Sequence, residues 1–363
     1  MSRQYKVLVV GMGKRGMHHA QAFHANNRFK VAGVCDVDRA RVDAAAAKFD
    51  TAKGTDARPL ATEVRPDVFC FCTLPSLRSE MVRIGVQSGA RLIAFEKPVA
   101  LTSREGMEIR TLLSDSGVKA VVSHQHRYGE HYRKVKEIIA GGALGRVHTV
   151  YGTATGWMMH MISHLIDYMR WYNNEAPAQW VMAQAAGRGK LSDLHPSPDY
   201  IAGFIQFANG VRGIVETGAG APDVPEVDYW WRKARIGAQG TDGFAEVLTG
   251  GGWRAVTKSG AFSGTGCMNY DLDMPPYIQE MADWLDDDRK VHSCNFWSAY
   301  AGFEIMMGLC RSAALGGQVA LPLTTGADEI QLLKDSLQER EVLLSSEANA
   351  KEYRQELVEA ARG

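Results

Sequence analysis

Residues 5–23 read YKVLVVGMGKRGMHHAQAF and contain the most informative pattern in the chain. A short apolar run rich in β-branched residues is followed by glycines at positions 11, 13 and 16 and then by a helix-like segment. This is the motif G-x-G-x-x-G between a strand and a helix. In this pattern the first glycine allows the sharp turn, the second admits a pyrophosphate and the third lets the helix pack closely. The predicted cofactor contacts of this loop are Gly11, Met12, Gly13, Lys14, Arg15 and Gly16.

A second strand-like run, FKVAGVCDVD, ends near Asp36, which follows Gly16 by twenty residues. A carboxylate at this position is expected to accept hydrogen bonds from the adenosine ribose hydroxyls and to repel a 2′-phosphate. Arg39 follows three residues later and offers partial compensation for that repulsion. We therefore predict a nucleotide site that prefers NAD to NADP, in preference to the alternative of a glycine turn without a ligand.

Strand-like and helix-like runs then alternate as far as residue 123. PDVFCFCT, ARLIAFEKP and KAVVSHQHRY are strand-like, and two amphipathic segments separate them. Such alternation predicts a parallel sheet with helices on both faces, whose ligands bind at the carboxyl ends of the strands. Residues 1–123 are therefore predicted to form a Rossmann domain. Its further cofactor contacts at the strand ends are expected to be Thr73, Leu74, Pro75, Glu96 and Lys97.

Length and composition exclude several classes of protein. A chain of 363 residues suits two domains, and 41 acidic residues balance 41 basic ones, so net charge draws it neither to nucleic acid nor to a membrane. The N-terminus does not have the pattern of a signal peptide, and no apolar run reaches the length of a membrane span. We expect six reduced cysteines in a cytoplasmic protein, with Cys70 and Cys72 in a buried strand rather than at a metal.

Beyond about residue 146 the pattern changes to successive strand-like runs, and FANGVRG carries the Asn-Gly signal of a hairpin. MPPYIQEMADWLDD and NFWSAYAGFEIMMGLCRSAA are helix-like and are expected to pack back towards the first domain. We predict a second domain at residues 124–330. Residues 331–363 are charged and are predicted to form a C-terminal helix.

The stretch FEKPVALT, the arginine-containing strand end after it and YRKVKEIIAGGALGRVHTVYG resemble the Gfo/Idh/MocA oxidoreductase family over about residues 5–325. The resemblance implies an α/β protein, with an N-terminal Rossmann domain and a C-terminal α/β domain built on an open, mostly antiparallel sheet. It also implies a small-molecule carbohydrate substrate and, through the outer face of that sheet, a homodimer or homotetramer.

The resemblance assigns roles to particular residues. Lys97 would contact the substrate hydroxyl, and Gln125 stands where the family often has an asparagine near the nicotinamide. Arg127 and Tyr128 follow at the domain junction. In GWMMHMISHLIDYM, residues 156–169, His164 falls on the histidine of the family pattern D-x-G-x-H-x-x-D. The predicted catalytic residues are Lys97, His164 and His160, and the predicted substrate-binding residues are Lys97, Arg127, Tyr128, His160 and His164.

The same stretch departs from the family pattern. His160 replaces an aspartate and Ile162 a glycine, while Asp167 matches the trailing aspartate and is expected to support His164. An imidazole at position 160 suits an anionic substrate or a reaction with two proton transfers. The residues also allow a structural histidine pair, or a zinc site, which the missing zincin glutamate disfavours; we expect no metal. YWWRKAR, residues 229–235, is as consistent with an interface or a solvated strand edge as with a pocket wall.

Three functions follow from these assignments. The first is NAD-dependent oxidation or reduction of a carbinol in a sugar, polyol or sugar derivative, with Lys97 and His164 as acid/base groups. The second is an NAD-dependent redox glycosidase, which oxidises C3 transiently, eliminates the leaving group, adds water and re-reduces the product; an anionic glycoside such as a sulfoquinovoside is one conceivable substrate. The third is a non-catalytic nucleotide sensor, which would have no need of Lys97 or His164.

Overall fold

The structure is a computed structural model that describes residues 3–228 and 232–338. The chain divides into two compact units. The first unit contains residues 1–129 and 269–300, and the second contains residues 130–268 together with the described residues from 301 onward. The stretch 269–300, which the sequence placed in the second domain, thus belongs to the Rossmann unit, and the first boundary lies at 129 rather than 123.

The first unit is a parallel sheet flanked by helices, as the alternating pattern predicts. Its described strands are β1 (Tyr5–Val10), β2 (Phe29–Cys35), β3 (Ala52–Gly54), β4 (Val68–Phe71), β5 (Leu92–Glu96) and β6 (Lys119–Ser123), in the order β3-β2-β1-β4-β5-β6. The helices between them are α1 (Lys14–Ala25), α2 (Arg39–Phe49), α3 (Ala57–Val64), α4 (Arg78–Gln87) and α5 (Ser103–Ser116). All four residues of β4 are fully buried, which explains its unbroken apolar sequence.

Local chemistry sets the helix ends. Asp38 begins α2 by accepting hydrogen bonds from the N–H groups of Ala40 and Arg41. Thr102 begins α5, where its hydroxyl accepts from the Glu105 N–H and the Glu105 carboxylate accepts from the Leu101 N–H. Polar groups that helices leave unpaired at their first turns are therefore satisfied at these two positions.

The second unit is built on a mostly antiparallel sheet. Its described strands are β7 (Val147–Ala154), β8 (Ala178–Ala186), β9 (Tyr200–Phe207), β10 (Arg212–Gly218), β11 (Ala234–Gly240), β12 (Gly243–Leu248), β13 (Gly252–Thr257), β14 (Gly260–Gly264) and β15 (Val319–Ala320). They lie in the order β14-β13-β12-β11-β7-β10-β9-β8-β15, and β7 and β10 form the parallel pair among them. The predicted Asn-Gly hairpin is confirmed between β9 and β10. Helices α6 (Glu130–Ala140) and α7 (Met158–Tyr172) belong to this unit.

Helix α8 (Tyr270–Asp286) completes the core of the first unit. Its Tyr277, Ile278 and Met281 are fully buried in the same apolar cluster as Val7 and Phe23. The backbone N–H of Val122, in β6, also donates to the carbonyl of Cys294. The sheet and α1 would lose much of their apolar cover without this returning segment.

Two helices follow, α9 (Phe296–Leu315) and α10 (Glu329–Ser336). Helix α10 overlaps the predicted C-terminal helix at residues 331–336 and ends at Ser336. From residue 339 onward that prediction lies outside the described residues. In the part of the chain that the structure describes, no helix has the length and apolar character required to cross a bilayer.

Candidate active site

The glycine loop joins β1 to α1 in the first unit. Gly11 has φ +86°, and a Cβ atom there would lie 2.8 Å from the carbonyl oxygen of Cys72. A Cβ on Gly16 would lie 1.7 Å from the Gly11 carbonyl oxygen, so both positions exclude a side chain. A Cβ on Gly13, in contrast, would meet only a guanidinium nitrogen of Arg41, at 3.8 Å. The loop is therefore packed tightly on two sides and open at Gly13.

This open side fits the pyrophosphate of a dinucleotide. Helix α1 begins at Lys14, its N-cap Gly13 supplies no side-chain hydrogen bond, and its first turn has no acidic residue. The first backbone N–H groups of a helix have no acceptor within it and carry partial positive charge. Such an end binds phosphate groups. Arg41, which the sequence analysis overlooked, brings a cation beside the same loop.

Asp36 lies directly after β2, and it is largely buried. One carboxylate oxygen accepts from the Met12 N–H at 2.5 Å, and the other accepts from the Asp38 N–H at 2.9 Å. The carboxylate therefore holds the glycine loop against the end of β2. Its predicted contact with the ribose hydroxyls stays a prediction, as does that of Met12 with the cofactor.

Glu96, at the end of β5, is bonded to α1. Its Oε1 accepts from Arg15 Nε and from a terminal Arg15 nitrogen, at 3.1 and 2.9 Å, and from His19 Nε2 at 3.0 Å. Burial opposes ionisation of the carboxyl, but Arg15 and His19 outweigh it and hold the pKa of Glu96 well below its usual range. Glu96 and Arg15 thus fix the start of α1 to β5, a structural role that the sequence did not predict.

Lys97 follows Glu96 and is partly buried. Burial, together with the nearby cations Arg15 and Arg78, lowers the pKa of Lys97 to about 8, while Glu96 acts in the opposite direction. An amine with this pKa exchanges protons near neutral pH, as a general acid or base must.

Arg78, the first residue of α4, is a site residue that sequence reasoning missed. Its guanidinium is fully buried and donates to the carbonyl oxygens of Thr73, Lys97 and Pro98, at 2.8, 3.3 and 3.2 Å. It therefore joins the loop after β4 to the loop after β5 and fixes the backbone of Lys97. Burial lowers the pKa of Arg78 to about 10. Its position is set by tertiary packing, and no local motif marks it.

The other predicted cofactor contacts lie at the same ends of the strands. Leu74 is exposed beside the turn in which Pro75 begins a short 3₁₀ helix, and the Gln125 side chain accepts a hydrogen bond from Ser123. The cofactor roles of Thr73, Leu74, Pro75 and Gln125 stay predictions.

Arg127 and Tyr128 are held by protein groups of the first unit. Arg127 donates to the Ser293 carbonyl and to the Ser298 hydroxyl, and the Tyr128 hydroxyl donates to the Glu280 carboxylate. These contacts fix the turn after β6 to the returning segment. They give no evidence for the substrate-binding role assigned to either residue, which stays a prediction.

In the second unit, α7 carries the predicted histidines. His160 and His164 are partly exposed, whereas Asp167 and Tyr168 are buried. The Tyr168 hydroxyl lies 3.2 Å from His164 Nδ1, and the two rings stack with centroids 5.8 Å apart. Tyr168 is therefore a support of His164 that the sequence did not suggest. The supporting role expected of Asp167 stays a prediction.

A loop from elsewhere in the chain brings a further imidazole to α7. The His195 ring lies 4.5 Å, centroid to centroid, from the His160 ring. The loop is fixed because the buried Ser197 hydroxyl accepts from the Met159 N–H, and because Lys190 Nζ lies 4.8 Å above the Trp157 ring. The imidazole rings of His160 and His195, which are 35 residues apart in the sequence, thus lie side by side at the start of α7.

The stretch YWWRKAR is described only in part, since Tyr229, Trp230 and Trp231 lie outside the described residues. Lys233 pairs with Asp223, and Arg235 pairs with Glu226 and Glu246, all in the second unit. These two cations are therefore held in ion pairs of the sheet and its loops.

Comparison with known proteins supports the Rossmann fold of the first unit. Residues 5–124 match the model of an oxidoreductase family with an NAD-binding Rossmann fold, GFO_IDH_MocA. Over these residues the chain is similar to the Gfo/Idh/MocA oxidoreductase family. This chain is accordingly an NAD-binding oxidoreductase, and the expected Rossmann fold and cofactor class are confirmed.

Two curated relatives align with part of this chain. The uncharacterized oxidoreductase YrbE of Bacillus subtilis (strain 168) is 24% identical over 232 residues, which cover 60% of this chain and 67% of the relative. Inositol 2-dehydrogenase of Rhizobium meliloti (strain 1021) is 23% identical over 222 residues, which cover 57% of this chain and 66% of that enzyme, just under two thirds.

A solved structure extends the likeness to both units. Levoglucosan dehydrogenase, in complex with NADH and levoglucosan, superposes with a TM-score of 0.75 at 18% sequence identity. The alignment covers 88% of this chain and all of that one. At this identity the likeness establishes the shared fold, including the mostly antiparallel second sheet.

Proposed function

We propose that this oxidoreductase oxidises, or in reverse forms, a secondary hydroxyl group of a sugar, polyol or sugar derivative. The observation that carries the proposal is Lys97, a partly buried amine at a strand end with a pKa of about 8, in the domain that binds NAD. The names of two relatives, inositol 2-dehydrogenase and levoglucosan dehydrogenase, support a polyhydroxylated substrate.

In this proposal NAD supplies the hydride acceptor, and the chain's own residues move the proton. Neutral Lys97 accepts the proton of the substrate hydroxyl during oxidation and returns it during reduction. His164 is the second acid/base group, and the Tyr168 hydroxyl at Nδ1 fixes the orientation of its ring. The Arg78 contacts hold the Lys97 backbone in place, so the amine is positioned before substrate binds.

A substrate screen tests the proposal. The purified protein is mixed with NAD and with cyclitols, free sugars, anhydro sugars and sugar acids, and NADH formation is followed by its absorbance. We expect turnover with at least one of these classes and its loss in the Lys97→Ala variant. Turnover that the Lys97→Ala variant retains, or no turnover with any of these classes despite measurable NAD binding, would contradict it.

The paired rings of His160 and His195 favour a second candidate, the redox glycosidase. That reaction needs proton transfers at C2 and at the departing glycosidic oxygen as well as at the oxidised hydroxyl, and this pair would supply further acid/base groups. Its distinguishing result is release of the aglycone from a glycoside in the presence of NAD without net NADH. Net NADH formation in step with consumption of a free sugar favours the dehydrogenase instead.

We also propose a homodimer or homotetramer formed through the open face of the second sheet. Met182, Phe204 and Ile214 lie directly opposite one another on β8, β9 and β10, and they are 45%, 56% and 36% exposed. A continuous apolar row on a sheet face is typical of a surface that another chain covers. Light scattering after size-exclusion chromatography should show an oligomer that Phe204→Glu weakens and the exposed-site control Leu315→Glu does not. A monomeric unmodified protein would contradict the proposal.

A further inference from the structure

We propose that His19, Cys70 and Cys72 form a binding site for a thiophilic divalent cation, with Zn²⁺ as the representative ion. The site lies beneath the glycine loop of the first unit. It differs from the zinc reading of His160 and His164, and it reverses the expectation that Cys70 and Cys72 are ordinary residues of a buried strand.

The fold brings the three side chains together. Cys70 lies in β4 and Cys72 directly after it, so the spacing of two residues turns both side chains to the same face of the strand. His19 reaches that face from the second turn of α1. One ligand atom from each residue, two sulfurs and a ring nitrogen, lies within 4.8 Å of the other two.

The hydrogen bonding of His19 provides an independent observation. The His19 side chain is fully buried, and because a carboxylate only accepts, Nε2 must donate to Glu96 Oε1 at 3.0 Å. Among the described residues, Nδ1 has no hydrogen-bond partner. Burial opposes the charged ring, but Cys72 and Glu96 raise the pKa of His19 to about 9. A bound cation would displace the second ring proton and use the buried Nδ1 lone pair. Leaving such a group unpaired costs free energy unless a ligand satisfies it.

Glu96 gives His19 the environment of a metal ligand. Histidines that bind metals usually donate their other ring N–H to a carboxylate or carbonyl, which fixes the tautomer and makes the ligating nitrogen more basic. The contact from Nε2 to Glu96 has this form. Arg15 also binds Glu96, so the carboxylate is held in place from a second side.

The donor set and its dimensions suit zinc. Zinc binds thiolate sulfur at about 2.3 Å and imidazole nitrogen at about 2.0–2.1 Å in a tetrahedron, which places donor atoms roughly 3.5 Å apart. The ligand atoms lie within 4.8 Å of one another, so side-chain shifts of at most about an ångström would bring them to this spacing. Cys70 is fully buried and Cys72 is partly exposed. A water molecule would complete the tetrahedron as the fourth ligand.

Occupancy would bear on the cofactor loop because Cys72 supports it. The Cys72 carbonyl oxygen lies against Gly11, and the Cys72 Cβ lies 3.8 Å from the position of a Cβ on Gly16. A cation that joins β4 to α1 at this point would restrict the loop and stabilise the first unit. This consequence does not depend on which substrate the enzyme takes.

Metal binding to the full chain tests the proposal. Protein stripped with a chelator under reducing conditions is dialysed against Zn²⁺, and bound metal is counted by elemental analysis. Co²⁺ then serves as a spectroscopic probe, because only thiolate ligation gives an intense sulfur-to-cobalt charge-transfer absorption. We expect one Zn²⁺ per chain, the cobalt–thiolate band and a melting temperature that rises with Zn²⁺ concentration.

Variants assign the ligands. Cys72→Ser and His19→Gln should each weaken Zn²⁺ binding by at least tenfold; glutamine keeps a donor for Glu96, and circular dichroism checks folding. Cys267→Ser, an exposed thiol elsewhere, and His160→Gln are the matched controls and should bind Zn²⁺ normally. Absence of the cobalt–thiolate band in the folded unmodified protein, or Zn²⁺ binding that the control variants lose and Cys72→Ser retains, would overturn the site.

Discussion

The strand ends of the Rossmann unit and the start of α7 in the second unit carry the predicted chemistry in different ways. In the first unit Asp36, Glu96 and Arg78 are bonded to backbone and side chains of the same unit, and they hold the loops around Lys97. In the second unit His160 and His164 lie on one helix, and their neighbours Tyr168 and His195 come from one turn away and from a distant loop. In the first unit, Asp36, Glu96 and Arg78 therefore form a rigid frame that holds the loops. In the second unit, the motif residues of α7 present partly exposed imidazole rings.

The difference teaches how far a motif identifies function. A glycine loop can be recognised because backbone geometry demands particular residues at fixed spacing. An imidazole pair such as His160 and His195 has no such spacing, since the loop that carries His195 sets the distance. We therefore expect substitutions in the frame to alter stability, cofactor choice and the pKa of Lys97, and substitutions on α7 to alter turnover.

Lys97 should give the largest effect, because it is the reactive group at the centre of the frame. Lys97→Ala should lower turnover by roughly 10²–10⁴-fold, the usual scale for loss of one acid/base group, and leave the dissociation constant for NAD nearly unchanged. Turnover and NAD binding, measured by steady-state kinetics and fluorescence titration, check this. A folded variant with near-normal turnover would show that Lys97 is part of the frame alone.

Substitution of Arg78 tests whether the frame also sets the pKa of Lys97. The pKa of about 8 predicts that the rate of oxidation rises with pH through about 8, because the neutral amine is the base. Burial is the main cause of this low pKa, and the Arg78 cation contributes. Arg78→Gln should therefore raise the pKa of Lys97 and move the rise in rate to higher pH.

The same variant should lower the free energy of unfolding by about 3 kcal/mol, because it leaves buried carbonyl groups unpaired. Denaturant unfolding measures this loss, and Arg83→Gln, an exposed arginine on the same helix, is the control. An unchanged pH profile in folded Arg78→Gln would limit Arg78 to a structural role.

Asp36 should affect the choice of cofactor. Asp36→Ala removes the charge that repels a 2′-phosphate, so the preference for NAD over NADP should narrow by about tenfold, or about 1.4 kcal/mol. The ratio of the two dissociation constants is the measurement, because loss of the Met12 contact weakens both cofactors. Asp38→Asn, which retains an oxygen able to cap α2, should leave the ratio unchanged. Equal dissociation constants in the unmodified protein would contradict the assignment.

Tyr168 should give the smallest effect. Tyr168→Phe keeps the ring against His164 and removes the hydroxyl at Nδ1, so turnover should fall by about 2–10-fold, the scale of one hydrogen bond. Tyr172→Phe is the matched control, since the Tyr172 hydroxyl donates to the Tyr132 carbonyl instead. A loss of turnover no larger than that of the control would show that the Tyr168 hydroxyl does not support His164.

Sequence alone predicted the parallel Rossmann sheet and the hairpin of the second sheet, because both rest on local spacing. It did not mark β11, whose sequence ARIGAQG is small and rich in glycine. It expected the helix-like stretches near residues 269–300 to pack back towards the first domain, but it assigned them to the second. Apolar periodicity shows that α8 is buried on one face but does not say against which core.

The site was predictable to the same extent. The positions of Gly11, Asp36 and Lys97 follow from a motif, so their placement at the ends of the strands was foreseen. Arg78 was not foreseen, because its three carbonyl partners come from two separate loops. The cluster of His19 with Cys70 was missed for a similar reason, since it requires knowing which face of α1 lies over β4.

The return of residues 269–300 to the first unit has a consequence for synthesis of the protein. On the ribosome, the six parallel strands emerge early, but Tyr277, Ile278 and Met281, which close their core, emerge only after the whole of residues 130–268. The core of the nascent Rossmann sheet therefore stays incomplete, with part of its apolar surface uncovered, while the second unit is translated. Domains that are synthesised first usually fold first. Here the Rossmann unit is the first to be synthesised, but it cannot complete its folding before the second unit has been synthesised.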